Sequence, residues 1–317
     1  MKIVQLELLK VSEEKMRELT APFEAEGHEI RVYGRSPVKE QIEQARDADV
    51  IIIGNMPLKR EVLEHCENLK LIDVAFTGID HVDTEFAAER GITVCNAAGY
   101  STSTVAELVI GNTISMLRYV AQNEARCRNG ESAYPELGCE IGEKTVGIVG
   151  FGAIGQRTAE LFHAFGARIL AYLPRDKELP GYVTRVSPTE LLSRSDVVSL
   201  HCPLNPSTKN LIGQKELALM KPSAILVNMA RGGVVDTDAL ARALDGGMIG
   251  GAVVDVFDQE PPLDGAHPLL HTPNTLITPH IAFASAESMV RRADIAYGNL
   301  RAWLDGAPVN VKVRGVR

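Results

Sequence analysis

The chain has 317 residues, of which 45% are hydrophobic and 23% are charged, and its formal net charge is -8 at pH 7. This composition is ordinary for a soluble globular protein, and the length allows two domains that each bury a core. The acidic balance argues against a nucleic-acid or anionic-membrane partner, because either would need a basic surface. No apolar run reaches the roughly 18 residues of a membrane span, and the N-terminal run is too short for a signal peptide. We therefore expect a cytoplasmic protein.

The first part of the chain has the pattern of one α/β unit. Ser12 can cap a helix over Glu13 to Glu26, and Gly27 can end it. Short β-branched runs alternate with such amphipathic segments, which is typical of parallel strands buried on both faces. The predicted strands are Ile3 to Leu6, Ile30 to Tyr33, Val50 to Ile53, Leu71 to Ala75 and Thr93 to Cys95.

A second series of strands follows a connector helix that the pattern places at about Ser103 to Ala125, apolar nearly all round and therefore expected to be buried. In this part "SPTE" predicts a helix start with Ser187 as cap, Pro188 in the first turn and Glu190 at the capping-box position, while Gly246 and Gly247 end the helix begun near Thr237. The predicted strands are Val146 to Val149, Ile169 to Tyr172, Val197 to Leu200, Ala224 to Val227, Gly251 to Val256 and Thr275 to Ile277.

The last helical pattern, about Ser285 to Leu304, has no strand left to follow it in the second sheet, so we expect it to pack on the first domain. The predicted fold class is α/β, with two doubly wound parallel-sheet domains and a cleft between them. One domain comprises residues 1–98 with 285–317, and the other comprises residues 99–284.

A glycine-rich turn, Gly150-Phe151-Gly152-Ala153-Ile154-Gly155, stands directly after the strand "TVGIV" and before an amphipathic helix. In this context G-x-G-x-x-G predicts a Rossmann dinucleotide cradle. The first glycine permits the tight turn, the second lets backbone approach the pyrophosphate, and the third allows close helix packing. The phosphates would lie on the free N–H groups at the helix N-terminus. A glycine-rich turn that binds nothing is the alternative.

The acid that usually binds the adenosine ribose is missing from the end of the next strand. Leu173 follows Tyr172 there, with Arg175 two positions later. Leucine cannot accept hydrogen bonds from the ribose hydroxyls, and Arg175 could pair with a 2'-phosphate, which makes NADP a credible cofactor. Asp176 could serve the ribose instead, so NAD stays open as the cofactor.

Three later stretches, "VNMARGGVVD", "GAVVDVFDQEPP" and "LITPHIA", each lie beyond the end of a predicted strand, where ligands bind in open α/β sheets. Together with "FTGIDHVD", "NAAGYSTSTVAE", "GFGAIG" and "LHCPLNPSTKNLI", in that family's order, they make nearly the whole chain resemble the D-isomer-specific 2-hydroxyacid dehydrogenases. The resemblance implies a Rossmann nucleotide-binding domain and a flavodoxin-like substrate domain. It also implies an enzyme that uses a nicotinamide cofactor.

By this resemblance Arg231 binds the substrate carboxylate, a task suited to a planar guanidinium. His280 is the acid/base, and Glu260 holds and charge-stabilises its imidazole. An adjacent carboxylate favours a protonated histidine near neutral pH, which agrees with that role. Each residue also has a structural reading: a surface ion pair for Arg231, a core histidine for His280 and a loop residue for Glu260.

The resemblance also implies further contacts around both ligands. Beyond the glycine-rich turn, Leu173 and Arg175, the expected cofactor neighbours are His201, Pro203, Thr208, Met229 and Asp255, with Asp255 on the nicotinamide carboxamide. The expected substrate neighbours besides Arg231 are Asn55, Phe76, Thr77 and Gly78, with backbone N–H groups around Thr77 and Gly78 on the carboxylate. Phe76, Ala98 and Ser101 depart from the family's usual Gly, Pro and Asn, and Phe76 with Asn55 and Met56 reshapes the expected pocket.

The sequence therefore predicts an oxidoreductase that transfers a hydride between NADH or NADPH and a small 2-oxo acid such as glyoxylate or hydroxypyruvate, giving the D-2-hydroxy acid. The five cysteines and the histidines show no metal-ligand spacing, so no metal is expected. The resemblance implies a homodimer that uses the connector helix and the loop after it. An NAD(H)-sensing binding protein of the same fold, similar to the C-terminal-binding corepressors, is the competing function.

Overall fold

The structure, a computed structural model, describes residues 1–315. In chain order its helices are α1 (Glu13–Ala25), α2 (Val38–Ala45), α3 (Arg60–Leu63), α4 (Thr84–Glu89), α5 (Thr102–Leu117), α6 (Val120–Arg128), α7 (Ala153–Ala164), α8 (Pro188–Arg194), α9 (Gln214–Leu217), α10 (Thr237–Asp245) and α11 (Ala286–Leu304). The strands are β1 (Lys2–Gln5), β2 (Glu29–Val32), β3 (Val50–Ile53), β4 (Leu71–Val74), β5 (Thr93–Asn96), β6 (Thr145–Val149), β7 (Arg168–Tyr172), β8 (Val183–Arg185), β9 (Val197–Leu200), β10 (Ile225–Asn228), β11 (Gly251–Val254), β12 (Thr275–Ile277) and β13 (Val311–Val313).

These elements form two compact units. The first unit comprises Met1–Ser101 and the chain from Ala284 onward, and the second comprises Thr102–Phe283. The last long helix, α11, therefore belongs to the first unit.

The first unit is a six-stranded sheet in the order β2-β1-β3-β4-β5-β13. Its first five strands are parallel in the flavodoxin-like order 2-1-3-4-5, and only β13 is antiparallel to its neighbour. Every residue of β3, β4 and β5 is buried, because helices cover both faces of the sheet. Between β1 and β3 the strand order reverses direction, and this position is the switch point of the first sheet.

The second unit is a seven-stranded sheet in the order β8-β7-β6-β9-β10-β11-β12, and all its strand pairs are parallel. Its first six strands have the Rossmann order 3-2-1-4-5-6, with the switch point between β6 and β9. Together the two sheets confirm the predicted fold class of two doubly wound α/β domains.

Local sequence signals account for several helix ends. Ser12 Oγ accepts the Lys15 N–H at 3.1 Å, and Ser187 Oγ accepts the Glu190 N–H at 3.2 Å, so both predicted caps are present. The Glu190 carboxylate, however, bonds Arg194 one turn later and does not complete the predicted capping box. An ion pair within the helix replaces that contact.

The predicted single connector helix is wrong. It is two helices, α5 and α6, broken at Tyr119, whose φ of 51° is in the left-handed region. Six residues of α5 are buried, but none of α6 is. The apolar pattern holds only as far as Leu117, after which "VAQNEARCR" is too polar to be buried.

Candidate active site

The carboxyl ends of β6 and β9 meet at the switch point of the second sheet, and the glycine-rich turn lies there. Gly150 has a φ of +93°, and a Cβ on it would lie 2.8 Å from the Cys202 nitrogen. A Cβ on Gly155 would lie 2.2 Å from the Gly150 carbonyl oxygen, so the start of α7 packs directly on the turn. Both positions therefore require glycine.

The outer side of this turn is open. A Cβ on Gly152 would meet nothing within 4 Å, and α7 starts at Ala153 with no side-chain cap. Within residues 1–315, the N–H groups of Ala153, Ile154 and Gly155 donate to no protein atom, as is usual for the first turn of a helix. Open backbone donors at a helix N-terminus fit a pyrophosphate, so the residues present fit a dinucleotide.

The loop after β7 contains the residues that would meet the adenosine ribose. Leu173 and Arg175 follow β7, and Arg175 is exposed. The Asp176 carboxylate, also exposed, lies 3.1 Å from Nη1 of Arg185, the last residue of β8. Nη2 of Arg185 donates to the Lys177 carbonyl oxygen at 2.7 Å. Asp176, the acid that could have served the ribose, is thus paired with an arginine from the neighbouring strand.

His201 and Pro203 follow β9 beside the glycine-rich turn, and Met229 is buried after β10. The His201 Nε2 lies 2.8 Å from Ser199 Oγ, and burial lowers the pKa of His201 to about 4, so its imidazole is neutral. Thr208 Oγ1 donates to the Pro203 carbonyl oxygen at 2.6 Å and accepts the Asn205 N–H at 2.9 Å. The Thr208 side chain therefore shapes its own loop.

Arg231 lies in the loop after β10, which is built around Asn228. The Asn228 side chain accepts the Ala230 N–H at 3.1 Å and donates to the Arg231 carbonyl oxygen at 2.9 Å. At Gly232 a Cβ would lie 2.0 Å from the carbonyl carbon of Phe257, in the loop after β11. This glycine lets the Arg231 loop lie directly against the chain that leads to Glu260.

His280 and Glu260 form a hydrogen-bonded pair. Nδ1 of His280 lies 2.7 Å from Oε2 of Glu260, and 13% of the His280 side chain is exposed against 49% of the Glu260 side chain. The sequence places these residues 20 positions apart, and the fold brings them together from the loops after β11 and β12. Glu260 therefore engages Nδ1 of the imidazole.

Asp255 holds the loop that carries His280. Its Oδ1 accepts the Thr278 hydroxyl at 2.5 Å and the Ile281 N–H at 2.9 Å, and its Oδ2 accepts the Ala282 N–H at 2.8 Å. The Asp255 carbonyl oxygen accepts the His280 N–H at 2.8 Å. His280 itself has a φ of 52°, a left-handed conformation that such bonds hold in place.

The family resemblance implied only a cofactor contact for Asp255, and this positioning role was not predicted. Asp255 is fully buried, and burial raises the pKa of its carboxyl group, while the three donors oppose that shift. Asp255 directly follows β11 and stands 25 residues before His280, so no local sequence signal indicates their contact.

In the first unit, the predicted carboxylate-binding residues follow β4. Phe76 is buried, and the Thr77 carbonyl oxygen accepts the Asn96 side-chain N–H at 2.6 Å. The N–H groups of Thr77 and Gly78 donate to no protein atom among the described residues. Two adjacent open backbone donors suit a carboxylate, and Asn96, at the end of β5, orients the peptide that contains one of them.

Asn55 and Met56 follow β3 at the same edge of the first sheet. Asn55 is half-buried and accepts a hydrogen bond from Arg35, whereas Met56 is buried. No cluster of metal-ligating side chains occurs in the described part of the chain, and none of its helices combines the length and apolar character needed to cross a bilayer.

These features define a dinucleotide-dependent oxidoreductase, and comparisons with known proteins name its family. Residues 110–282 match the family model described as "D-isomer specific 2-hydroxyacid dehydrogenase, NAD binding domain". The chain is 40% identical to a glycerate dehydrogenase of Methylorubrum extorquens, with 90% of this chain and 92% of that protein covered. It is 36% identical to a hydroxypyruvate reductase of Blautia hydrogenotrophica, with 89% and 91% covered.

A solved structure is similar to this chain over nearly its whole length. An acyclic imino acid reductase in complex with NADPH and D-Arg superposes with a TM-score of 0.90 at 30% identity, covering 99% of this chain and 100% of that chain. The protein therefore belongs to the D-isomer-specific 2-hydroxyacid dehydrogenase family. It is an NAD(P)-dependent enzyme that acts on CH–OH donors, as the resemblance predicted.

Proposed function

We propose that the protein is an NADPH-preferring reductase of small 2-oxo acids, with glyoxylate and hydroxypyruvate as its substrates and the D-2-hydroxy acid as product. The observation that carries the cofactor choice is the Asp176–Arg185 pair at 3.1 Å beside Leu173 and Arg175. The substrate class is supported by the named relatives, a glycerate dehydrogenase and a hydroxypyruvate reductase.

In the proposed reaction a bound nicotinamide would supply the hydride for the C2 carbonyl carbon, and the chain's own residues bind the substrate and move the proton. Arg231 binds the substrate carboxylate. The open N–H groups of Thr77 and Gly78 are backbone donors suited to the same kind of group. His280 gives a proton from Nε2 to the carbonyl oxygen, and Glu260 stabilises the imidazolium through Nδ1. Asp255 maintains the His280 loop during this transfer.

The cofactor preference follows from charge at the ribose. Arg175 offers a guanidinium to a 2'-phosphate, which forms charge-assisted hydrogen bonds with arginine. The Asp176 carboxylate would repel that phosphate, but its ion pair with Arg185 neutralises the carboxylate charge. Arg185 also donates to the Lys177 carbonyl oxygen of the same loop. Leu173 offers no acceptor to the ribose hydroxyls of NAD. Arg175, Arg185 and Leu173 therefore all favour NADPH.

The test is initial-rate kinetics of the purified protein with NADPH and with NADH, against glyoxylate, hydroxypyruvate and pyruvate. We expect kcat/KM to be at least about tenfold higher with NADPH, the ratio that one charge-assisted contact supplies. Arg175→Gln should lower that ratio, whereas Arg157→Gln, an arginine of α7 that pairs with Glu160, should not. A preference for NADH would overturn the cofactor proposal, and no turnover with either cofactor would overturn the substrate class.

A further inference from the structure

The carboxylate of Glu7 lies at the switch point of the first sheet, and the loop after β3 is built directly on it. Only 8% of the Glu7 side chain is exposed. Its Oε2 accepts the Met56 N–H at 2.8 Å. A Cβ on Gly54 would lie 2.9 Å from the same oxygen, so glycine lets the loop approach the carboxylate this closely. Glu7 therefore determines where the chain from Gly54 to Met56 lies.

Arg35, from the loop after β2, connects Glu7 to Asn55. Its Nε lies 3.4 Å from Glu7 Oε1, and its Nη1 donates to Asn55 Oδ1 at 3.2 Å. Since the guanidinium can only donate, it selects the amide orientation in which Oδ1 faces Arg35. The Asn55 Nδ2 donates to no protein atom within residues 1–315, so its N–H groups are available to a ligand.

The same loop is bonded to the predicted carboxylate-binding segment. The Ala75 N–H donates to the Ile53 carbonyl oxygen at 2.7 Å. Further along, the Leu58 N–H donates to the His81 carbonyl oxygen at 3.0 Å, and the Leu58 carbonyl oxygen accepts the Asp83 N–H at 3.0 Å. Asn55 is thus held in a fixed register beside Thr77 and Gly78. Ligands of doubly wound sheets bind at this edge, near the switch point.

We propose that Glu7 and Arg35 are positioning residues that present the Asn55 amide as a donor to an oxygen atom on C3 of the substrate. This inference rests on the proposed function and narrows its substrate class to 2-oxo acids with a hydroxyl group on C3. Such a hydroxyl accepts the amide N–H, whereas an alkyl C3 leaves that donor unpaired. A site built to hydrogen-bond a substrate oxygen discriminates strongly against the analogue that lacks it.

The experiment compares kcat/KM for hydroxypyruvate with kcat/KM for pyruvate, which differ only in the C3 hydroxyl, using the cofactor that the wild-type protein prefers. We expect the wild type to favour hydroxypyruvate, and Asn55→Ala to lower this ratio about tenfold, the effect of one neutral hydrogen bond. Arg35→Gln should lower the ratio about threefold or more, and should have no further effect in the Asn55→Ala background. That dependence separates positioning from general destabilisation.

Arg31→Gln is the matched control, because Arg31 is a charged neighbour on β2 whose partners are Glu29 and Asp47. It removes the same charge and should leave the ratio unchanged. Glu7→Gln should lower the ratio, as Arg35→Gln does. If Glu7→Gln folds poorly, the variants at Arg35 and Asn55 still test the inference, because neither residue is in the core. An unchanged ratio in both Asn55→Ala and Arg35→Gln would overturn this inference and leave the proposed function standing. Absence of turnover with every 2-oxo acid would overturn both.

Discussion

Asp73 is a carboxylic acid in the middle of β4, and its replacement by asparagine should make the protein's stability less dependent on pH. The side chain is fully buried. Its Oδ1 accepts one hydrogen bond, from Asn299 Nδ2 at 3.0 Å, and its Oδ2 has no partner among the described residues. Burial raises the pKa of Asp73 from 3.8 to about 7, because the charged form has lost its water.

The direction of the pH effect follows from the linkage between proton binding and folding. The unfolded chain loses the Asp73 proton near pH 4, whereas the folded chain keeps it until about pH 7. Folding therefore becomes less favourable as the pH rises through this window, by about 1.4 kcal/mol per pH unit, and the full shift corresponds to about 4 kcal/mol. Asp73→Asn removes this titration. The stability of the variant relative to wild type should rise by about 3 kcal/mol between pH 5 and pH 8.

The assay is urea unfolding at both pH values, followed by the fluorescence of Trp303, the one tryptophan of the chain, which lies on α11 in the same unit as Asp73. Asp47→Asn is the control for sign, because a hydrogen bond from Lys2 lowers the pKa of Asp47. Asp47→Asn should therefore not show the rise in stability relative to wild type between pH 5 and pH 8 that is expected for Asp73→Asn. If the stability difference between Asp73→Asn and wild type were the same at pH 5 and pH 8, the reasoning about buried Asp73 would be refuted.

Three further predictions concern the loops of the second unit. Glu260→Gln keeps a partner for His280 Nδ1 but removes the charge, and steady-state assays should show kcat lower by about 10- to 100-fold; an unchanged kcat would contradict the role of Glu260. Asp255→Asn places an amide donor against the Ala282 N–H, so hydrogen exchange across 278–282 should accelerate and kcat should fall. Unaltered exchange would contradict the positioning role of Asp255. Gly232→Ala puts a Cβ 2.0 Å from the Phe257 carbonyl carbon and should lower the Tm by several degrees; the control Gly233→Ala, whose closest contact is 3.2 Å, should lower it less.

Much of the fold could be predicted from the sequence, because buried parallel strands are short apolar runs. Such runs can be recognised without knowing which strands they pair with. The runs at β3 and β9 are examples, since all their residues are buried. Two edge strands, β8 and β13, were not predicted. Their three-residue sequences, "VTR" and "VKV", have charged residues that face solvent, so neither the length nor the pattern separates them from loops.

The candidate site was predictable where neighbouring residues in the sequence identify a motif. The glycine-rich turn is an example, because it stands between β6 and α7. Contacts between loops were not predictable in this way. The Asp176–Arg185 pair depends on β8 lying beside β7, and the Glu7–Met56 bond depends on β1 lying beside β3. Strand order is a property of the whole domain, so a residue's neighbours along the sequence do not show it. The roles of the individual site residues and the homodimer stay predictions.

The assignment of α11 and β13 to the first unit has a consequence for the order in which the protein is made. A ribosome delivers β1–β5 first, then the whole second unit, and only afterwards the segment that completes the first sheet. Until then β5, which is buried along its full length in the finished protein, has an unpaired edge, and the sheet lacks the cover of α11. Unpaired edges of apolar strands are prone to join other chains. The second unit can finish folding during synthesis, whereas the first unit must wait until α11 and β13 have been made.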